Sequence, residues 1–355
     1  MLKIAILTFY DAYNYGAFWQ ARCLKDFVND IEGINCDMLK IELRKDNLKP
    51  LKCVYDFFRG RMSWAKMMFE IKRYSKFQIF SKRLNPQPKD NFYDIYVFGS
   101  DELWNIKRKQ NRGNKAKILW GIGLSDVALK ISYAPSINEA QGEDFALEPL
   151  FKENVYKFSA LSARDQKSID VLEKILDRKV ELVLDPTLLQ RPEYFRKYQP
   201  KKTKERKKYL LLYTYDVLLT EKEISRIKSF AKDKSLKIVS LGNYIDFADE
   251  SILCTPEQFL MYFQEADYVF TNTFHGTMFS IIYRKNCGIL DSHQSKVDEA
   301  ISQFGLEKLQ VSDLDDLWNM DDRNLKMIWN EVYETVEEYR KKSETYLLEA
   351  IHTEN

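Results

Sequence analysis

At 355 residues the chain is more than twice a common domain of ~150 residues, so two compact domains are expected and one continuous core is not. Hydrophobic residues make up 45%, with 22 Phe and 21 Tyr among them, enough burial to offset chain entropy and exclude a mostly disordered chain. The 55 Lys and Arg against 53 Asp and Glu leave a net charge of +2, so no chain-wide positive field exists to attract a nucleic acid.

The apolar run LKIAILTFY opens the chain at strand length, dense enough for a parallel strand buried on both faces. Asp11 stops it too early for a signal peptide, and no later run reaches the ~18 apolar residues of a spanning helix, which makes the cytoplasm the expected address. After the turn DAYNYGA, apolar Ala17, Phe18, Ala21, Leu24, Phe27 and Val28 recur at three- and four-residue steps, giving strand, tight turn, helix. From 44 to 83, twelve Lys and Arg face three Asp and Glu, with Trp64, Met67, Met68 and Phe69 interleaved. Such a segment either touches an anionic membrane surface or forms a solvated insertion whose apolar face covers the core.

YDIYVFGS (93–100) and KISYAPSI (130–137) predict further strands. A helix follows Arg164, with Ile169, Leu172, Ile175 and Leu176 on one face, and VELVLDP (180–186) closes the first half. Residues 199–208, QPKKTKERKK, have no large apolar side chain and six positive charges against one negative, the composition of a connector. The expected division is a first domain over 1–198, a basic linker over 199–208, a second domain over 209–320 and a terminal helix over 321–355 that could pack across both halves. In the second domain YLLLYTY, KIVSLG, YVFTNT and CGILD predict strands, with helices opening near Thr220, Pro256, His275 and Ser295. Thr220 with Glu223 is a capping-box pair, and Pro256 suits a first helical turn. Five cysteines (Cys23, Cys36, Cys53, Cys254, Cys287) without C-x-x-C, and three histidines, suit a reducing compartment and predict no metal centre.

In ADYVFTNTFHGTMFSI the strand gives way to a helix near His275, where backbone N–H groups and the positive dipole end would favour an anion beside Asn272, Thr273, Gly276 and Thr277. His275 is either a proton carrier there or a capping histidine satisfied by a neighbour; Gly276 would let a ligand approach the backbone. His293 and His352 belong to a loop and the C-terminal tail. Arg164 could present its fork over the sheet edge to a carboxylate or phosphate, or pair with Asp165 or Asp170. Lys296 could add a second positive charge or be merely solvated. In the first half NYGAFWQ and FGSDELWN place Asn14, Gly16, Gly99, Ser100, Asp101, Trp104 and Asn105 near the sheet edge where α/β sites collect. Asp101 is a base or an N-cap. No G-x-G-x-x-G or Walker loop occurs.

Taken in order, NYGAFWQ, YDIYVFGSDELWN, ISYAPS, LSARDQKS, VLDPT and ADYVFTNTFHGTMFSI resemble the polysaccharide pyruvyl transferase family over residues 2–311. The resemblance implies an α/β fold of two Rossmann-like domains facing a cleft, as in GT-B glycosyltransferases, with no cofactor and phosphoenolpyruvate as donor. It implies that His275, Arg164 and Lys296 face the donor as acid/base and cation clamps, with Asn272, Thr273, Gly276 and Thr277 beside them. Asn14, Gly16, Ser100, Asp101, Trp104 and Asn105 would then lie on the acceptor side. The chain has Glu102 where members commonly carry Gln, Asp165 where Glu is usual, and Lys296 where many have Arg. The expected reaction is transfer of the pyruvyl group of phosphoenolpyruvate onto hydroxyls of a sugar or lipid-linked saccharide of a cell-surface polysaccharide precursor, forming a ketal, by a protein of the cytoplasm that could also sit peripherally at the inner face of the membrane. A nucleotide-sugar glycosyltransferase and a non-catalytic scaffold of a polysaccharide assembly complex are the alternatives.

Overall fold

The structure, a computed structural model, describes residues 1–41, 48–89, 91–200, 208–214, 219–291, 295–311 and 322–353. Most of the expected linker, 201–207, lies outside them, as do residues 44–47 and His293.

Two parallel sheets carry the fold. The first has the order β2-β1-β3-β4, from β1 (Leu2–Leu7), β2 (Ile34–Met38), β3 (Ile95–Phe98) and β4 (Leu129–Ser132). Beside β4, joined to it by a bridge between Ile131 and Ala160, runs the short parallel pair β5 (Ser162–Ala163) and β6 (Glu181–Leu182). The second sheet has the order β11-β10-β7-β8-β9, from β7 (Tyr209–Tyr213), β8 (Lys237–Leu241), β9 (Glu250–Ile252), β10 (Tyr268–Thr271) and β11 (Cys287–Ile289).

Helices follow the strands: α1 (Tyr15–Asn29), α2 (Lys49–Phe58), α3 (Trp64–Lys82), α4 (Pro149–Val155), α5 (Gln166–Leu176), α6 (Pro186–Leu189) and α7 (Pro192–Arg196) in the first half. The second half has α8 (Glu221–Asp233), α9 (Pro256–Glu265), α10 (Phe274–Ile282) and α11 (Ser295–Phe304), and α12 (Asp322–His352) ends the chain. Local chemistry sets several of these starts. Glu223 N–H donates to Thr220 Oγ1 at 3.2 Å and Thr220 N–H to Glu223 Oε2 at 2.7 Å, closing the predicted capping box. Thr255 and Gln258 form a second one, with Pro256 in the first turn.

The period-2 alternation of the central strands divides the interior into layers. On β1, Ile4 and Ile6 face a cluster between the two sheets, while Ala5 and Leu7 face the outer layer with Trp104, Trp120 and Phe151. On β7, Tyr209, Leu211 and Tyr213 face the same middle cluster, and Leu210 and Leu212 the layer under α8. The middle cluster runs without a break from Ile4 to Ile289 and takes in α1, α9, α10 and α12. The expectation that no continuous core would form is therefore corrected. The reason is α1, whose Trp19 indole N–H donates to Pro256 O at 3.1 Å and whose Tyr15 hydroxyl donates to Cys254 O at 3.0 Å, deep in the other half. The terminal helix crosses both halves: Tyr346 donates to Ser132 O and Ser343 Oγ accepts from Leu184 N–H on one side, and Tyr333 donates to Ile282 O on the other. All five cysteines are buried and none forms a disulfide.

Candidate active site

The carboxyl ends of the two sheets face each other across a polar cavity of about 370 Å³. From the first half it is lined by Asn14, Lys49, Arg73, Asp101, Glu102, Arg108 and Glu139, and from the second by His275 and Lys296. Two larger hollows lie elsewhere: one around Lys115 and Lys117 is built from the first half alone, and one around Arg191, Arg284 and Glu337 opens at the far end of α10, by Ile282 and Tyr283, with no histidine in its lining.

His275 sits in the first turn of α10, which starts where β10 ends. The cap is Thr273, whose Oγ1 accepts from Gly276 N–H at 3.0 Å, so the reading of His275 as a satisfied capping residue does not hold. Its side chain is 12% exposed, its Nε2 is 3.8 Å from Asp185 Oδ2, and that nitrogen is buried with no hydrogen-bond partner among the described residues. Burial lowers the His275 pKa from its ordinary 6.5; Asp185 and Asp101 oppose this, while Arg164 and Lys296 reinforce it. The ring is neutral near pH 7. Gly16, in the first turn of α1, lies against it so closely that a Cβ there would collide with the imidazole. Asn14 makes that approach possible by capping α1, with Oδ1 accepting from Ala17 N–H at 2.7 Å.

Behind the ring lies a buried charge cluster. Arg164, placed by β5, donates to Asp185 Oδ2 at 2.8 Å and to Asp101 Oδ1 at 3.3 Å, and its guanidinium stacks over Phe274 at 4.3 Å from the ring centroid. Its side chain is 1% exposed and is absent from the cavity lining, so it acts on the cavity through Asp101, which lines it, and through Asp185, which stands behind His275. Neither Asp165, which instead accepts from Ser168 N–H, nor Asp170, which accepts from Gln166, is the partner. Burial works against ionisation of Asp185, but His275, Arg164 and the Thr187 N–H hold its carboxyl below the usual range. Ser100 also donates to Asp185 Oδ2 at 3.2 Å and is itself fully buried.

Asp101 is no N-cap: it has φ 67°, follows β3 without starting a helix, and directs its carboxylate to Arg164. Next to it, Glu102 is buried between Lys296 Nζ and Arg108, whose NH2 is 2.5 Å from Oε2, while Asn105 Nδ2 donates to Oε2 at 3.1 Å. Burial would raise the Glu102 pKa; Lys296 and Arg108 outweigh it and hold the carboxyl well below its ordinary range. Lys296 in the first turn of α11 thus meets a first-half carboxylate across the cavity and is not a freely solvated lysine.

Several predicted residues lie outside the lining. Trp104 is fully buried, its indole N–H donating to Leu119 O at 3.0 Å and its ring packed on Phe151, so it belongs to the core. Asn105 and Ser100 are buried and act on the cavity through Glu102 and Asp185. Gly99 meets the backbone just past β4, where a Cβ would strike Tyr133 O, and Gly276 packs on the Thr271 hydroxyl, so no ligand fills its missing side chain. Thr273 borders a narrow crevice with Asn14 and Arg73, while Asn272 and Thr277 are fully buried beneath it. His352 bonds Leu348 O on the exposed end of α12.

Asp185 and Glu102 were given no functional part by the sequence reading. Asp185 carried a local signal, an Asp-Pro pair opening α6 with Oδ1 accepting from Thr187 N–H at 3.0 Å, but the meeting of its Oδ2 with Arg164, Ser100 and His275 shows only in three dimensions.

Residues 14–294 match the polysaccharide pyruvyl transferase family. No curated protein matches the sequence significantly. Among solved structures, a UDP-N-acetylglucosamine 2-epimerase is similar at 10% identity and a TM-score of 0.55, over 98% of this chain and 95% of that one. The UDP-bound MnaA of S. aureus is similar at 10% identity and 0.52, over 100% and 99%. A trehalose-6-phosphate synthase is similar at 8% identity and 0.52, over 100% of both chains. These likenesses establish the GT-B fold.

Proposed function

Because the chain belongs to the polysaccharide pyruvyl transferase family, we propose that it moves the pyruvyl group of phosphoenolpyruvate onto two hydroxyls of a saccharide, forming a ketal. The observation that carries this reading is His275, on the lining of a cavity where Lys49, Arg73, Arg108 and Lys296 converge, with its Nε2 buried 3.8 Å from Asp185 Oδ2 and without a hydrogen-bond partner among the described residues.

The donor is a small trianion, and these cations supply the electrostatic complement for its carboxylate and phosphate. Transfer needs a proton on the donor's methylene carbon, addition of the first hydroxyl to the adjacent carbon, departure of phosphate, and closure by the second hydroxyl. Two hydroxyl protons are released; one balances the methylene and the other leaves on the phosphate. A neutral imidazole is suited to take a hydroxyl proton, and the imidazolium so formed would face the Asp185 carboxylate. Arg164 fixes Asp185 and Asp101 in place and thereby sets the field that His275 feels.

The test is incubation with phosphoenolpyruvate and a panel of saccharide acceptors, following phosphate release and product mass. Acceptor-dependent phosphate release with a ketal product is expected. Release of a nucleotide from a nucleotide sugar, with none of phosphate from phosphoenolpyruvate, would overturn the reading in favour of glycosyl transfer.

A further inference from the structure

The α2–α3 hairpin is an insertion with two unlike faces. Toward the protein it is well anchored: Met67 and Phe77 are buried, Arg83 makes a two-pronged pair with Glu257, Lys76 donates to Leu253 O at 2.8 Å, and Arg73 donates to Tyr13 O at 2.7 Å. The outward face of α2 is apolar. Leu48, Leu51, Tyr55 and Phe58 recur at steps of three and four residues, one face of a helix, and they are 67, 65, 51 and 80% exposed. Trp64, 61% exposed, extends the stripe and packs edge-on against Phe57. Cys53 is the one buried residue of α2. Other strongly exposed large apolar side chains, such as Phe92, Val127 and Leu147, are scattered in sequence.

Charge completes the pattern. Residues 48–66 carry Lys49, Lys52, Arg59, Arg61 and Lys66 against Asp56 alone. A self-complementary contact between two copies would bring these cations against one another, whereas an anionic bilayer accepts both the apolar stripe and its basic borders. We propose that this face of the hairpin docks on an anionic membrane surface, with the aromatic side chains Phe58 and Trp64 entering the headgroup boundary. Lys49 at the start of α2 and Arg73 on α3 line the cavity, so docking seats the cavity beside the lipid. Docking itself does not depend on the reaction; the inference that the acceptor is carried on a lipid rests on the proposed pyruvyl transfer.

The test uses the full chain with vesicles of pure phosphatidylcholine and vesicles containing phosphatidylglycerol, at low and high salt. Sedimentation with the anionic vesicles only, weakened by salt, is expected. Reversing Lys52, Arg59 and Arg61 to Glu should lower partitioning about tenfold or more, and Phe58→Ser with Trp64→Ser should lower it on the same vesicles with the thermal midpoint unchanged. Wild-type emission should shift to the blue on binding, and Trp64→Phe should remove that shift. Equal binding to neutral vesicles, no binding at low salt, or self-association through the stripe without vesicle binding would each overturn the proposal. No measurement here involves phosphoenolpyruvate, so failure of docking and failure of the transfer assay are read separately.

Discussion

Glu102→Gln tests the polar closure of the cavity. The wild-type carboxylate is 3% exposed and lies between Lys296, 12% exposed, and Arg108, 40% exposed. Removing one partner of a fully buried pair costs ~3–5 kcal/mol. Here Arg108 can rehydrate and the Gln oxygen still accepts one hydrogen bond, so a loss of about 1–3 kcal/mol is expected. The sign of its pH dependence follows from the depressed native pKa. Glu102 contributes stability above its ordinary value of 4.5 and loses that contribution as pH falls toward the lower native value. The gap between wild type and variant should therefore be widest at neutral pH and close below about 4.5. Freed of their carboxylate, Lys296 and Arg108 should also attract phosphoenolpyruvate more strongly, by about fivefold or more. Urea midpoints across pH and calorimetric titration of phosphoenolpyruvate read the two effects. An unchanged midpoint together with unchanged or weaker donor binding would refute the reasoning.

Substitution of His275 by Ala should lower turnover by about 10²–10⁴-fold with the fold retained by circular dichroism; and because burial lowers its pKa, the acid limb of the wild-type kcat/KM profile should lie below 6.5 and vanish in the variant. Gly16→Ala should inactivate with every polar group present, since the new methyl group collides with the His275 ring; near-normal turnover would sink the packing argument. Arg164→Ala leaves Asp185 buried without its cation and should cost about 3–5 kcal/mol in urea unfolding, with kcat falling more than donor KM changes. A selective rise in donor KM at full stability would instead make Arg164 a direct clamp.

Much of the fold was legible because the second half is regular in its local chemistry. The strands YLLLY and YVFT read as buried runs, and Thr220 and Pro256 mark helix starts that their hydrogen bonds or position then realise. What escaped was short or polar. β2, INCDM, carries Asn35 and Asp37 on a five-residue strand whose place is set by pairing with β1, whereas β5 and β6 fall in the apolar stretches before Arg164 and at 180–186 but are only two residues each. At the site, His275 and Lys296 could be marked because each follows a strand at a helix start. Trp104 follows a strand too, yet its ring turns into the core toward Phe151, a direction that no local pattern encodes. The partners of Arg164 are 63 and 21 residues away in the chain, so only the assembled sheet edges identify them.

The two faces of the contact between halves differ in kind, which gives the cavity its character. On the side of α1 and α9 the contact is apolar, with Tyr15 stacked on Phe259 at 4.8 Å and Trp19 and Phe263 in the same cluster, so opening there would expose a large core to water. On the cavity side the halves meet through the Lys296–Glu102 ion pair, the Gly16–His275 approach and the Arg164–Phe274 stack. Of these, only the ion pair is of a kind that a small anion can exchange, because a donor phosphate or carboxylate offers Lys296 the same charge that Glu102 does. If the proposed donor binds at Lys296, it and the Glu102 clasp would compete for one ammonium group, with the apolar side keeping the halves in register during that exchange. On that account, a Gln at position 102 trades part of the unliganded clasp for a stronger hold on the donor.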